Sequence, residues 1–213
     1  MATAITTSQV KVIIDAENKP ENLPSFEEII ERSFAELPRQ TTATNIQGVR
    51  LTLSKTSGNQ ASNIWVKFGG GITIGEANTQ RFVGQYLEAN DNPAVRAPRV
   101  YIAFTWDDIG FIVMEYIDGQ ICGDSDFALV AAAVQSLIAI PSPTSSPGPV
   151  GGGLIEHPFF IDRKSSIWYE SVKELEDHIN GVGDKYSLLS LLSLFQIITL
   201  NTDSLRHGEE AAC

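Results

Sequence analysis

Lys67 and Glu76 are the residues whose types and spacing point to chemistry in this chain. Lys67 stands inside an apolar run, Asn63-Ile64-Trp65-Val66-Lys67-Phe68, and Glu76 follows nine residues later. β-Branched and aromatic residues dominate the run, which predicts a strand. An ammonium in such a strand is costly to bury unless an anion meets it. Glu76 is one candidate anion, and a nucleotide phosphate is a second. A lysine and glutamate so placed can hold the phosphates of ATP for phosphoryl transfer.

The elements around the pair must bring it together. After the break at Gly69-Gly70-Gly71, the pattern predicts a helix over 75–88. Glu76, Gln80, Val83 and Leu87 fall on one line of it, at steps of four, three and four. Glu76 thus shares a stripe with residues that want burial, which turns it towards the strand of Lys67. The competing reading is a surface glutamate in the first turn, favoured there by the helix dipole. Upstream, Val49, Leu51 and Leu53 alternate with Arg50, Thr52 and Ser54, a half-buried strand, and Ser57-Gly58-Asn59 makes a turn. Downstream, strands over 99–104 and 111–117 flank Asp107-Asp108-Ile109-Gly110 and predict a hairpin. The fold class is therefore α+β: a small, mostly antiparallel sheet with a helix inserted between its strands.

Ser25-Phe26-Glu27-Glu28 is a capping box that opens an earlier helix, with Phe26, Ile29, Ile30 and Phe34 on its apolar face and Leu37-Pro38 at its end. Residues 1–24 are read as irregular, broken by Pro20 and Pro24. Beyond Asp118-Gly119, Asp124 or Ser125 caps an alanine-rich helix over 126–140. A Pro/Ser loop over 141–149, Gly151-Gly152-Gly153, an apolar knot at Pro158-Phe159-Phe160 and a short helix over 171–179 follow. The chain divides into an irregular segment 1–24, a sheet unit with its preceding helix over 25–118, and a partial helical unit over 119–213.

A chain of 213 residues can bury one substantial core or two small lobes. Its 43% apolar and 19% charged residues are those of an ordinary globular protein. The formal charge of −11 repels nucleic acid and anionic membranes. It still permits ATP, because one lysine and backbone amides bind phosphate locally. Cys122 and Cys213 have no metal-ligand spacing, so two free thiols in a reducing, cytoplasmic compartment are expected. The first ten residues lack the pattern of a secretory signal, and the apolar tract 188–200 is too short and too polar to span a bilayer. His157 and His178 are read as structural, Asp162 and Asp177 lack acid/base partners, and no G-x-S-x-G motif is present.

Several segments together resemble the fungal branch of the aminoglycoside-phosphotransferase-like kinases. They are Trp65-Val66-Lys67-Phe68-Gly69, Gly75-Glu76-Ala77-Asn78-Thr79-Gln80-Arg81-Phe82-Val83, Ala97-Pro98-Arg99-Val100-Tyr101 and Phe111-Ile112-Val113-Met114-Glu115-Tyr116-Ile117-Asp118-Gly119. Gly151-Gly152-Gly153, His157-Pro158-Phe159-Phe160 and Glu174-Leu175-Glu176-Asp177-His178-Ile179-Asn180 continue the series. The resemblance spans roughly 40–180 and lies in the order and spacing of the motifs. It implies a kinase-like N-lobe followed by a mostly helical C-lobe, with ATP between them. Lys67 would touch the α- and β-phosphates, and Glu76 would fix its ammonium. Backbone groups of Glu115 and Ile117 would bond adenine, with Met114 the bulky residue beside the pocket. Gly48, in Gln47-Gly48, or alternatively Ser57-Gly58-Asn59, would be the turn over the phosphates. Magnesium and a small-molecule acceptor of unknown identity belong to the family pattern.

The chain departs from that pattern after Asn180. No H-G-D-x-x-x-x-N block follows, and Asp184 and Asp203 have no Asn at the right offset. Arg206-His207-Gly208-Glu209 resembles the block superficially and is read as a polar tail, and no residue qualifies as a magnesium ligand. The expectation is an inactive or truncated phosphotransferase that binds ATP. The alternative is a non-catalytic interaction module that uses an exposed 187–200 segment.

Overall fold

The structure, a computed structural model, describes residues 10–36, 46–53, 62–90, 95–160 and 162–183. These form an α+β arrangement with one five-stranded antiparallel sheet and four α-helices. The strands are β1 (Val10–Asp15), β2 (Gln47–Thr52), β3 (Asn63–Gly69), β4 (Val100–Trp106) and β5 (Ile109–Glu115). Their order is β1-β4-β5-β3-β2, so the sheet's two edges are the first two strands of the sequence.

Two helical connections cover opposite faces of this sheet. Helix α1 (Phe26–Ala35) joins β1 to β2, and helix α2 (Ile74–Ala89) joins β3 to β4. Ser25 caps α1, its hydroxyl accepting from the Glu28 N–H at 3.2 Å, while the Glu28 carboxylate pairs with Arg32 rather than completing the capping box. Ile29 and Ile30 are fully buried against Val49, Leu51, Ile64, Val66, Phe104 and Phe111. This face is entirely apolar at its centre, where Phe104 and Phe68 both stack on Phe111 with ring centroids 4.7 and 5.5 Å away. Period-two alternation on the strands sends the other residues to the α2 face, where Ala77 packs with Ile112, Met114, Ala103 and Ile14.

Two strand features differ from a simple alternation. Register shifts between Val100 and Ile102 as β4 pairs with β5, which brings both Tyr101 and Ile102 to the α1 face. The β4–β5 hairpin turns at Asp107, whose φ of 50 is a conformation that Asp tolerates.

The reading of 1–24 as irregular is corrected over Val10–Asp15, which form β1. This strand pairs with β4, more than eighty residues away in sequence, and its register shifts between Val12 and Ile14. The shift scrambles the alternation, so a periodicity search passes over it. The signal that was present is the β-branched run Val10, Val12, Ile13 and Ile14.

Beyond the sheet, a 3₁₀ turn at Asp124–Asp126 leads into α3 (Phe127–Ile138), and α4 (Val172–Gly183) follows. No residue of α3 is buried, and Phe127 and Ile138 are 71% and 78% exposed. Between these helices the described chain is irregular apart from one β-bridge, Glu156 to Lys164. Tyr169 anchors that stretch: it is fully buried, with its hydroxyl 2.7 Å from His178 Nδ1. His157 Nδ1 accepts from the Phe159 N–H at 3.1 Å. Both histidines therefore have structural partners. Among the described residues no helix is long and apolar enough to cross a membrane.

The expectation of free thiols is corrected at Cys122, which is disulfide-bonded with a partner outside the described residues. Sequence spacing alone does not decide whether two distant cysteines approach within bonding distance. The turn at Ser57-Gly58-Asn59, the 187–200 tract and the Arg206 to Glu209 sequence also lie outside the described residues.

Candidate functional site on the α2 face

Ile64, Val66 and Phe68 of β3 fill the core under α1, so Trp65 and Lys67 project to the α2 face. Lys67 stands in register with Gly48 on β2 and with Ile112 on β5. Its Nζ lies 2.7 Å from Glu76 Oε1, with 18% and 30% of the two side chains exposed. The pair is thus neither sealed in the core nor loose in solvent. A sealed pair would carry a heavy desolvation penalty, and a fully solvated one would hold no fixed geometry.

Helix α2 positions Glu76 through its first turn. Thr73 is the N-cap, and its hydroxyl accepts from the Glu76 N–H at 3.1 Å. Glu76 is therefore both a first-turn acid favoured by the helix dipole and an inward-facing partner of Lys67. The stripe seen in the sequence continues along the helix. Gln80 Nε2 donates to Met114 Sδ at 3.0 Å, and Leu87 is 4% exposed.

The other residues expected at the site are placed as follows. Met114 is buried on the same face, beneath Gln80. Gly48 lies beside Lys67, and a Cβ there would collide with the indole of Trp65. Its small size is therefore required by packing, whatever passes over it. The Trp65 ring leans on Tyr116 with centroids 6.3 Å apart, and the Arg50 guanidinium lies 5.5 Å from the centre of Tyr116. Sequence reasoning took Trp65 as a strand former only, although its alternation with Val66 put it on the face of Lys67.

Glu115 ends β5 and Ile117 lies two residues beyond it, both half-buried. The Glu115 N–H donates to the Arg99 carbonyl at 2.9 Å, so that donor is already committed. Its carboxylate pairs with Arg96. Burial, and then the Glu115 charge, push the Tyr101 phenol above its usual range.

A cavity of about 550 Å³ opens on the other flank of α2, lined in part by Asp15, Glu17, Arg81, Glu88 and Arg99. It does not reach Lys67. Its charges are largely matched internally, Arg99 with Glu88 and Asp15 with Lys19. The hydrogen bond that Arg99 donates to the Glu88 carboxylate also holds its guanidinium above the ordinary range. Size alone does not make it the stronger candidate: Lys67 is less exposed than Arg99 and sits against the sheet.

No family model, no curated protein and no solved structure matches this chain. Function is therefore argued from the geometry. A cation fixed by a carboxylate, at the mouth of an apolar face, can receive a further anion without moving. Among the described residues no three His, Cys, Asp or Glu side chains come together to hold a metal ion.

Proposed function

We propose that this chain is a kinase-like, aminoglycoside-phosphotransferase-type protein that binds ATP on the α2 face of its sheet. The observation that carries the reading is the Lys67–Glu76 pair at 2.7 Å, partly exposed and set between a strand and an adjacent helix. Lys67 would receive the α- and β-phosphates while Glu76 keeps the ammonium in place. Met114 would limit the depth of the adenine pocket, and backbone groups of Glu115 and Ile117 would bond its edge. With the Glu115 N–H engaged by Arg99, the carbonyl is the group that Glu115 would offer. Gly48 is given no phosphate contact, because the Trp65 indole fills the space over it. Magnesium would arrive with the nucleotide, neutralising its phosphates, and no residue of this chain is assigned to it.

Nucleotide binding, rather than transfer to an acceptor, is the activity assigned to these 213 residues, because they contain no H-G-D-x-x-x-x-N block. ATP turnover that is lost on Glu209→Gln would overturn that assignment. A cytoplasmic place goes with the use of ATP, and the Cys122 disulfide is the observation against it. The second reading, a non-catalytic interaction module, rests on 187–200, outside the described residues. The exposed apolar side chains of α3 favour it.

The deciding experiment is a thermal-shift titration of the full chain with Mg-ATP. Stabilisation that disappears in Lys67→Met is the expected result. No shift at millimolar Mg-ATP for the native chain would remove the nucleotide reading.

A further inference from the structure

The Gly-rich segment 148–153 is far from α2 in sequence but is packed on its first turns. Val150 N–H donates to Thr79 Oγ1 at 2.9 Å, and the same hydroxyl donates to the Gly75 carbonyl at 2.7 Å. Pro149 lies so close to Gly75 that a Cβ there would be 2.5 Å from the proline Cβ. Gly151, at φ +89, approaches Asn78 in the same way, with an added Cβ 2.9 Å from Asn78 Nδ2. Gly75, Asn78 and Thr79 surround Glu76 on the helix. The segment is tied at its other side as well. Gly152 lies under the Trp168 ring, and Ser146 Oγ donates to the Glu170 carbonyl at 3.1 Å. One strap thus connects the start of α2 to the stretch anchored by Tyr169.

We infer that this strap, acting through Thr79 and Pro149, is a positioning device that holds Glu76 on Lys67. A helix start is otherwise free to fray or swing, because its first N–H groups have no intrahelical partner. Thr73 caps one of them from within the helix. The strap instead fixes the helix from outside, with a hydrogen bond to Thr79 and close contacts of the Pro149 ring on Gly75 and of Gly151 on the Asn78 side chain. Its bond ends on Thr79 Oγ1, which in turn donates to the carbonyl of Gly75, the residue immediately before Glu76. Shifting the strap therefore moves the carboxylate relative to the sheet. Residues 154–183 become the lever by which a change elsewhere reaches the nucleotide site. Thr79 touches neither Lys67 nor the proposed ligand, so its role is positional. The inference rests on the nucleotide reading only for its consequence. The strap's hold on the ion pair can be measured without nucleotide.

The test uses the full chain as native protein, Thr79→Val, Thr79→Ser, Pro149→Gly and Lys67→Met. Lysine acylation by a water-soluble N-hydroxysuccinimide acetate is followed by peptide mass spectrometry, with exposed Lys173 as the internal standard. Loss of the relay bond is expected to raise Lys67 acylation about three- to tenfold in Thr79→Val. Thr79→Ser, which keeps the hydroxyl, restores the native rate. Pro149→Gly gives the same direction from the strap side, and carries the test should Thr79→Val fail to fold. Mg-ATP affinity is then measured on the same proteins and should fall in parallel in Thr79→Val and recover in Thr79→Ser. Native-like Lys67 acylation in folded Thr79→Val or in Pro149→Gly would overturn the inference. Changed acylation in a chain that never binds Mg-ATP leaves the strap standing and removes the nucleotide reading instead.

Discussion

The two faces of the sheet are built from the same five strands and are opposite in character. Under α1 the surface is mostly hydrocarbon, with Phe68, Phe104 and Phe111 stacked in a row, Ile29 and Ile30 sealed above them, and the Ser33 hydroxyl and Trp106 indole N–H as buried polar exceptions. Under α2 the apolar cluster is smaller and shares the face with Lys67, Glu76 and the Gln80–Met114 contact. The first face contributes stability through buried area. The second gives up part of that area to keep a charge partly wet and fixed in place. Even the helices differ in support. Helix α1 is held by its apolar stripe, whereas α2 is additionally strapped from outside by residues 149–151.

The contrast predicts effects of different kinds and sizes. Phe111→Ala should cost the most, about 3–5 kcal/mol, because it empties the centre of the aromatic row. Urea unfolding measures this, and a loss below that of Ile112→Ala, one residue on and facing α2, would dissolve the distinction. Lys67→Met should change stability without ligand by no more than about 1 kcal/mol, since the pair is partly solvated. It should instead abolish the roughly 2.7 kcal/mol that Mg-ATP adds at a hundredfold excess over its Kd.

The two caps give a matched pair of smaller effects. Ser25→Ala and Thr73→Ala should each lower stability by about 1 kcal/mol, because each removes one acceptor from a first-turn N–H. Only Thr73→Ala should also weaken the response to Mg-ATP, because its partner is the Glu76 N–H. Equal nucleotide responses in the two variants would mean that α2 geometry does not govern the site.

The smallest effect concerns pH. Tyr101, on the α1 face, has its phenol pushed above the usual value near 10 by burial and by Glu115. A raised phenol in the folded state means that the unfolded chain ionises first. Its contribution is then complete below about pH 10 and is lost as pH rises through the folded value. Tyr101→Phe should flatten the alkaline limb of a stability-versus-pH curve, the effect being reduced because the ring is only partly buried. An unchanged limb would show that Glu115 and burial do not act on this residue.

Much of the framework was legible. The Ser25 cap, the alternation of Val49, Leu51 and Leu53 and the β4–β5 hairpin each depend on neighbours in sequence and are found in place, although the hairpin turn is only Asp107-Asp108, with Ile109 and Gly110 already in β5. The pairing of Lys67 with Glu76 was also accessible, since strand parity and the helix stripe each restrict the direction of one side chain. Strand β1 was not, because its only pairing is with β4 and a register shift hides its alternation. Nor was the role of Gly48, which is set by the indole of a residue on the next strand.

By itself, the sequence determined the α+β composition, the helix starts and the apolar face of β2. These follow from periodicity and capping, which act over a few residues. The tertiary structure alone decided that β1 closes the sheet beside β4, that Cys122 is bonded, and that Pro149 and Val150 grip the first turns of α2. The β1–β4 and strap contacts join residues more than seventy positions apart, and their close approaches depend on packing in three dimensions rather than on any local spacing. Lys67 and Glu76 belong to both accounts: local pattern pointed them at each other, and the packed helix brought them to 2.7 Å.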